Sequence, residues 1–284
     1  MGEVSGTGPE LAAADPTADC TPSVAARPWQ PDKAATAGTG PAPTGRTASP
    51  ATGGTDTASG LQAVQPPPDP AAPPLSPQAP VGYSHRLTPT PAGWARLARW
   101  CVWVEPAAAG PSAVPPAAAA SLESRWQQAV NAALASWAEE LVIVRVTDPA
   151  QAQVLVRRQR PPLRELGGRL RASHGRASLQ VLEVQRAGRW RLEPRVEVLI
   201  SPGQRQLAIQ ATALHELGHA FGLWGHSDDP ADALAAVPGR QPVLALTARD
   251  RATLRWLQAQ PSRFGQPLPA PAAAPAAAPV PVQP

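Results

Sequence analysis

Of 284 residues only two are cysteine, two are phenylalanine and one is tyrosine, and the single methionine is the first residue. The cysteines, Cys20 in a Pro-rich stretch and Cys101 in an apolar run, offer no disulfide framework of the kind that staples small secreted domains. No 18 apolar residues run together, so no membrane insertion is expected. The opening Met1-Gly2-Glu3-Val4-Ser5-Gly6 has neither a basic nor an apolar signal region. No signal peptide is visible, and a cytoplasmic location is the default expectation. Lysine is nearly missing, Lys33 being the only one among 25 basic residues. Residues 1–90 carry net charge −3 and residues 91–284 carry +7, the basic residues of the latter all arginine. Without interleaved aromatics or a nucleic-acid motif, that excess reads as a solvated basic surface, and no nucleic acid is expected as a partner.

Proline and glycine, 38 and 22 residues, crowd towards the ends. Residues 1–93 hold hardly any β-branched aliphatics or aromatics, too little apolar surface to offset chain entropy, and are expected to be disordered. A Pro/Ala tail over 266–284 is expected to be disordered as well. Between them, residues 94–265 carry the pattern of one domain.

Arg99–Glu105, aromatic and β-branched, predicts a strand. After a Pro/Ala loop over 106–120, Trp126, Val130, Leu134 and Trp137 recur at helical spacing, one buried stripe on a helix over 121–140. Strands are expected at 141–146 and 153–157, around the turn-forming Asp148-Pro149. Arg-rich 157–176 reads as a loop, broken at Pro161-Pro162 and Gly167-Gly168, with His174 an exposed loop histidine. Two further strands, 178–185 and 195–201, join around Ala187-Gly188. An irregular loop over 228–242 follows the motif described next. Thr247 and Asp250 then form a capping box that opens a helix to Gln258, with Leu254 and Leu257 facing the core.

Three of the five histidines fall within twelve residues, His215-Glu216-Leu217-Gly218-His219-Ala220-Phe221-Gly222-Leu223-Trp224-Gly225-His226. The apolar, breaker-free run 207–214 before them predicts a helix. On it His215 and His219 are one turn apart on the same face and can share one zinc ion. Glu216 lies about 100° around the axis, beside such a metal and not on it, the place of a general base acting on water. Gly222 permits the positive-φ exit that ends many helices, and the chain can then deliver His226 as a third ligand.

These residues resemble the metzincin zinc peptidases, whose signature is H-E-x-x-H-x-x-G-x-x-H, and specifically the matrixins, through Ser227 directly after the third His and Asp229-Pro230 beyond it. The resemblance implies an α+β, zincin-like catalytic domain: a twisted mixed sheet, a packed helix, a zinc helix and a closing helix, in the order β-α-β-β-β-β-α-α. It implies Zn2+ on His215, His219 and His226, Glu216 as base, protein or peptide substrates, a monomer, and a route to export despite the absent signal. Two departures stand out. The third His comes one residue late, with Gly225 in its place. Leu234 stands where the family has a Met packed under the metal. Cys20 lacks the Arg-Cys-Gly setting of the matrixin zymogen switch. Three functions compete: an active zinc endopeptidase, a catalytically weak or inactive zinc-holding domain that serves as a protein-binding module, and an Arg-rich nucleic-acid binder, for which the sequence holds no motif.

Overall fold

The structure is a computed structural model that describes residues 20–31, 80–107 and 116–268. All of these but Pro31 belong to one compact unit. The expectations for 1–19, 32–79 and 269–284 lie outside the described residues. In chain order the elements are β1 (Ala25–Pro28), β2 (Trp100–Val104), α1 (Pro116–Ala138), β3 (Ile143–Val146), β4 (Val154–Arg157), β5 (Arg164–Leu166), β6 (Arg169–Arg171), β7 (Gly175–Arg186), β8 (Arg189–Ile200), α2 (Gln206–Ala220) and α3 (Ala248–Ala259). Six strands form one mixed sheet in the order β1-β7-β8-β4-β2-β3. The chain is thus α+β, with a mixed sheet and three α-helices.

β2 runs parallel to both β3 and β4, and β4 runs parallel to β8. That suits the unbroken apolar runs of β2 and β4, in which Trp100, Val102, Val154 and Val156 on one face and Cys101 and Leu155 on the other are all buried, as parallel strands covered on both faces require. The helical stripe is core as expected: Trp126, Val130 and Trp137 are fully buried and Leu134 nearly so. Each buried indole also needs an acceptor. Trp126 donates to the Ile200 carbonyl at 3.2 Å and Trp137 to the Leu214 carbonyl at 3.0 Å. The stripe therefore fixes α1 against both the end of β8 and the middle of α2. The helix begins at Pro116, inside the expected loop.

β7 and β8 form a 12-residue hairpin, longer than expected at both strands. Ala187 and Gly188 take φ of 45° and 74°, the backbone of a type I′ turn. Pro194 suggests a break before Arg195, yet the strand runs through it. Val196 is the first residue of β8 paired with β4, so the N–H that Pro194 lacks faces a stretch where β4 has not begun. The Arg-rich 157–176 also departs from the expected loop, because Gly167-Gly168 turns β5 back onto β6 as a two-stranded hairpin.

The expected disorder of 1–93 is corrected in two places. β1 pairs antiparallel with the far half of β7, Ala25 opposite Gln185 and Pro28 opposite Leu182, and Cys20 is bonded to Cys101 of β2. Both cysteines are buried. The disulfide is a single long-range tie, separation 81, and it leaves Cys20 no part in a zymogen switch. The second place is 80–93, where Tyr83 is fully buried. At the C-terminal end order extends past 265, since Leu268 N–H donates to the Trp190 carbonyl at 2.8 Å. Among the described residues no helix is long and apolar enough to cross a membrane.

Candidate metal centre

The last turns of α2 carry His215 and His219, ring centroids 4.8 Å apart. Each ring is oriented by a backbone carbonyl: Nδ1 of His215 lies 2.9 Å from the Ala233 oxygen, and Nδ1 of His219 lies 2.8 Å from the Leu223 oxygen. A carbonyl can only accept, so both Nδ1 atoms carry the proton and both Nε2 atoms keep a lone pair. Those Nε2 atoms face each other at 3.2 Å. Both lone pairs can therefore be offered to one metal ion.

The chain leaves α2 at Gly222, φ 105°, where a Cβ would collide with the Ala95 carbonyl. Three residues on, Gly225 lies against the Arg86 carbonyl so closely that no side chain fits, and Thr88 N–H donates to the Trp224 carbonyl at 2.8 Å. That close passage over 86–88 holds the segment between Gly222 and His226 in place. His226 then comes round onto the pair, its ring centroid 5.3 Å from that of His215 and 4.9 Å from that of His219. The three histidines each offer one nitrogen, all within 4.8 Å of one another, close enough to hold one metal ion. His226 is the exposed member. Among the described residues no other trio of His, Cys, Asp or Glu meets that condition. His174, Asp228 and Asp229 stay outside it.

Burial pushes the His215 ring down to about 4 and the His219 ring to about 3, and lowers His226 as well. Neutral imidazole is the form that binds a metal. Burial acts on Glu216 in the opposite direction, raising its carboxyl to about 7 against the pull of the Ala177 N–H, which donates to it, and of Arg176. Glu216 is held against β7 so tightly that a Cβ on Gly175 would come within 2.6 Å of its Cγ. The first half of β7, which β1 does not cover, and the helix therefore meet at this carboxyl.

Beneath the histidines, Leu234 is fully buried, and a Cβ on Gly218 would approach its Cδ2 to 2.5 Å and Trp137 Cζ2 to 2.9 Å. Gly218 is thus the space into which Leu234 fits. The turn that carries Leu234 is fixed by two buried carboxylates. Asp250 accepts from Tyr83 OH at 2.8 Å and from the Ala233 N–H at 2.9 Å, while Ala233 presents its carbonyl to His215. Asp232 accepts from Ser227 Oγ and Thr247 Oγ1, each at 2.5 Å. Ser227 N–H donates to the Leu234 carbonyl at 2.7 Å. Sequence reading places Thr247 and Asp250 as a capping box, and the box is present, but their support of the histidines has no local signature. Tyr83, expected in a disordered stretch, is part of that support.

A cavity of about 470 Å³ opens beside His215, Glu216 and His226, walled by Ala208, Ala211 and Thr212 of α2 and by 235–243 of the following loop. Ala, Pro and Val make up much of its wall away from the histidines, with Ser173, His174, Gln204, Asp232, Arg240 and Gln241 among the polar residues. Comparison of the chain with models of known protein families and with curated proteins finds no match.

Proposed function

We propose that the chain is a zinc-dependent endopeptidase of the matrixin-like metzincin type. The observation that carries this reading is the convergence of three neutral imidazoles on one point, with a buried carboxyl at the next helix position and outside the ligand set. A site that only held a metal for structure would have no use for that carboxyl, and structural zinc sites fill all four positions with protein ligands. Three nitrogen donors with one open position fit zinc.

When bound, zinc supplies a Lewis acid that polarises the scissile carbonyl and brings the attacking water's pKa towards neutrality. Glu216, poised near 7, accepts the proton from that water and returns it to the leaving amine, the range in which a carboxyl serves both roles. The Ala177 N–H fixes the carboxylate against β7. Beyond Glu216 the half of β7 from Gly175 to Gln180 has no partner strand on its outer side among the described residues. An extended peptide can add there as a further strand, as peptides do at other free sheet edges. The cavity beside His215 would then receive one apolar substrate side chain.

The test is metal content and cleavage of unstructured casein by the purified protein and two variants. Glu216→Ala should keep one zinc per chain and lose about 10²–10⁴ in rate. His219→Ala should lose metal and activity together. Equal cleavage by wild type and Glu216→Ala would sink the mechanism, and a zinc-loaded wild type that cleaves nothing would favour the protein-binding module.

A further inference from the structure

We infer that β1 is a built-in stop on the substrate-binding edge, so that this protein binds only about four residues on the N-terminal side of the bond it cuts. The inference rests on the peptidase reading and adds to it the length of the substrate segment that is recognised.

β7 is twelve residues long, but its outer edge is shared. β1 covers Leu182 to Gln185, and the N–H of Trp29, one residue past β1, donates to the Val181 carbonyl at 3.0 Å. At the other end of the same edge the Ala177 N–H is taken by Glu216. The Val181 carbonyl and the groups of Glu183 and Gln185 point outwards to β1, and backbone groups alternate along an antiparallel strand, so between Trp29 and Glu216 the outward row still offers Leu179 and the Ala177 carbonyl. From Ala177 to Val181 is four residues, about 14 Å at the usual rise. β1 lies antiparallel to β7, and a peptide added in the same sense would be collinear with it. The N-terminal end of that peptide would meet Trp29.

The stop is anchored more firmly than a four-residue edge strand needs for pairing alone. Cys20 ties the segment to β2 through the disulfide. Arg186 is nearly fully buried, pairs with Glu193 at 3.0 Å, and donates Nη1 to the Thr21 carbonyl. Arg27 pairs with Glu183 and lies 4.7 Å over the Trp190 ring. An edge strand held at several independent points cannot be displaced by a competing peptide through backbone hydrogen bonds alone.

The experiment uses the zinc-loaded, oxidised full chain and a set of blocked peptides lengthened by one residue at a time on the N-terminal side of one cleaved bond. kcat/KM should rise by about 2- to 10-fold for each residue that gains a backbone hydrogen bond, then level off after about four. In a Cys20→Ser/Cys101→Ser variant, or in wild type under reductant, longer peptides should gain again. Amide exchange at Glu183 and Gln185 should meanwhile quicken, with Leu179 unchanged. Rates that climb steadily through seven residues in the oxidised wild type would overturn the stop. So would Glu183 and Gln185 amides that exchange freely while the disulfide is intact, a result that needs no activity and covers a variant that fails to fold. Absence of cleavage at every length would instead overturn the peptidase reading, and this inference with it.

Discussion

At Glu216 and the two histidines of α2 burial acts with opposite signs, and the metal-free protein should report both. His215 and His219 have folded values of about 4 and 3, below the ordinary 6.5. As pH falls through 6.5 the unfolded chain takes protons that the folded chain refuses, so their contribution to stability declines on acidification until about pH 3. Glu216 is raised from 4.5 to about 7, so below pH 7 the folded chain binds its proton first, and its contribution improves between 7 and 4.5. Two groups outweigh one, and the Tm of the metal-free protein should fall from pH 7 to pH 4. Glu216→Gln removes a buried carboxylate whose cost is greatest above pH 7. It should raise the metal-free Tm at pH 8 and lose that advantage by pH 4.5, both readable by calorimetry; unchanged Tm at pH 8 would mean the carboxyl is well solvated. Asp250 is the second residue with a sharp expectation. Asp250→Ala strands the Tyr83 hydroxyl and the Ala233 and Thr247 N–H groups, each worth about 1–3 kcal/mol when buried without a partner. Because Ala233 also orients His215, zinc affinity in a chelator competition should drop by about 10- to 100-fold, the usual cost of losing a group that orients a ligand. Tyr83→Phe removes one hydrogen bond and should cost stability with little change in zinc affinity.

Among the elements, α2 and the turn beneath it act as one packed unit, because Leu234 occupies the space that Gly218 leaves. Leu234→Met is a volume-conserving change and should cost less than about 1.5 kcal/mol with zinc content unaltered. Leu234→Asp places a charge where exposure is zero and should lose the metal. Gly218→Ala sets a methyl against both Leu234 and Trp137 and should destabilise by about 1–3 kcal/mol. Combined with Leu234→Val it should cost less than the sum of the two single changes, with a coupling of about 0.5–3 kcal/mol in denaturant unfolding; strict additivity would show that the turn moves freely from the helix. The elements legible beforehand are those with a local period. The tryptophan stripe of α1, the apolar runs of β2 and β4 and the capping box of α3 each repeat or cap within a few residues. β1, with only Ala25–Pro28 and no alternation, and the β5–β6 hairpin, three residues a side, carry no such pattern and are set by what they pair with.

At the scale of the whole molecule, the contacts that could not be read are those that join distant stretches. Tyr83 meets Asp250 across 167 residues, Arg186 meets Thr21 across 165, and Cys20 meets Cys101 across 81. The histidines were legible because a helix and one short loop bring them together, whereas nothing near Cys20 distinguishes a bonded cysteine from a tail residue. The disulfide has the larger consequence. In the chain-entropy description, closing a loop of that length stabilises the fold by about 4–5 kcal/mol, a large share of the 5–15 kcal/mol typical of a domain. Cys20→Ser/Cys101→Ser should therefore lower Tm strongly, and reduction of the wild type should do the same. Thiol titration of the unfolded, unreduced protein should find no free cysteine and, after reduction, two. Bonds of this kind persist in oxidising compartments, so chain recovered from an oxidising compartment should carry the bond, and chain made in a reducing cytosol should start with two thiols and the lower Tm. If the reduced protein melts at the same temperature as the oxidised one, the N-terminal segment contributes nothing to the fold.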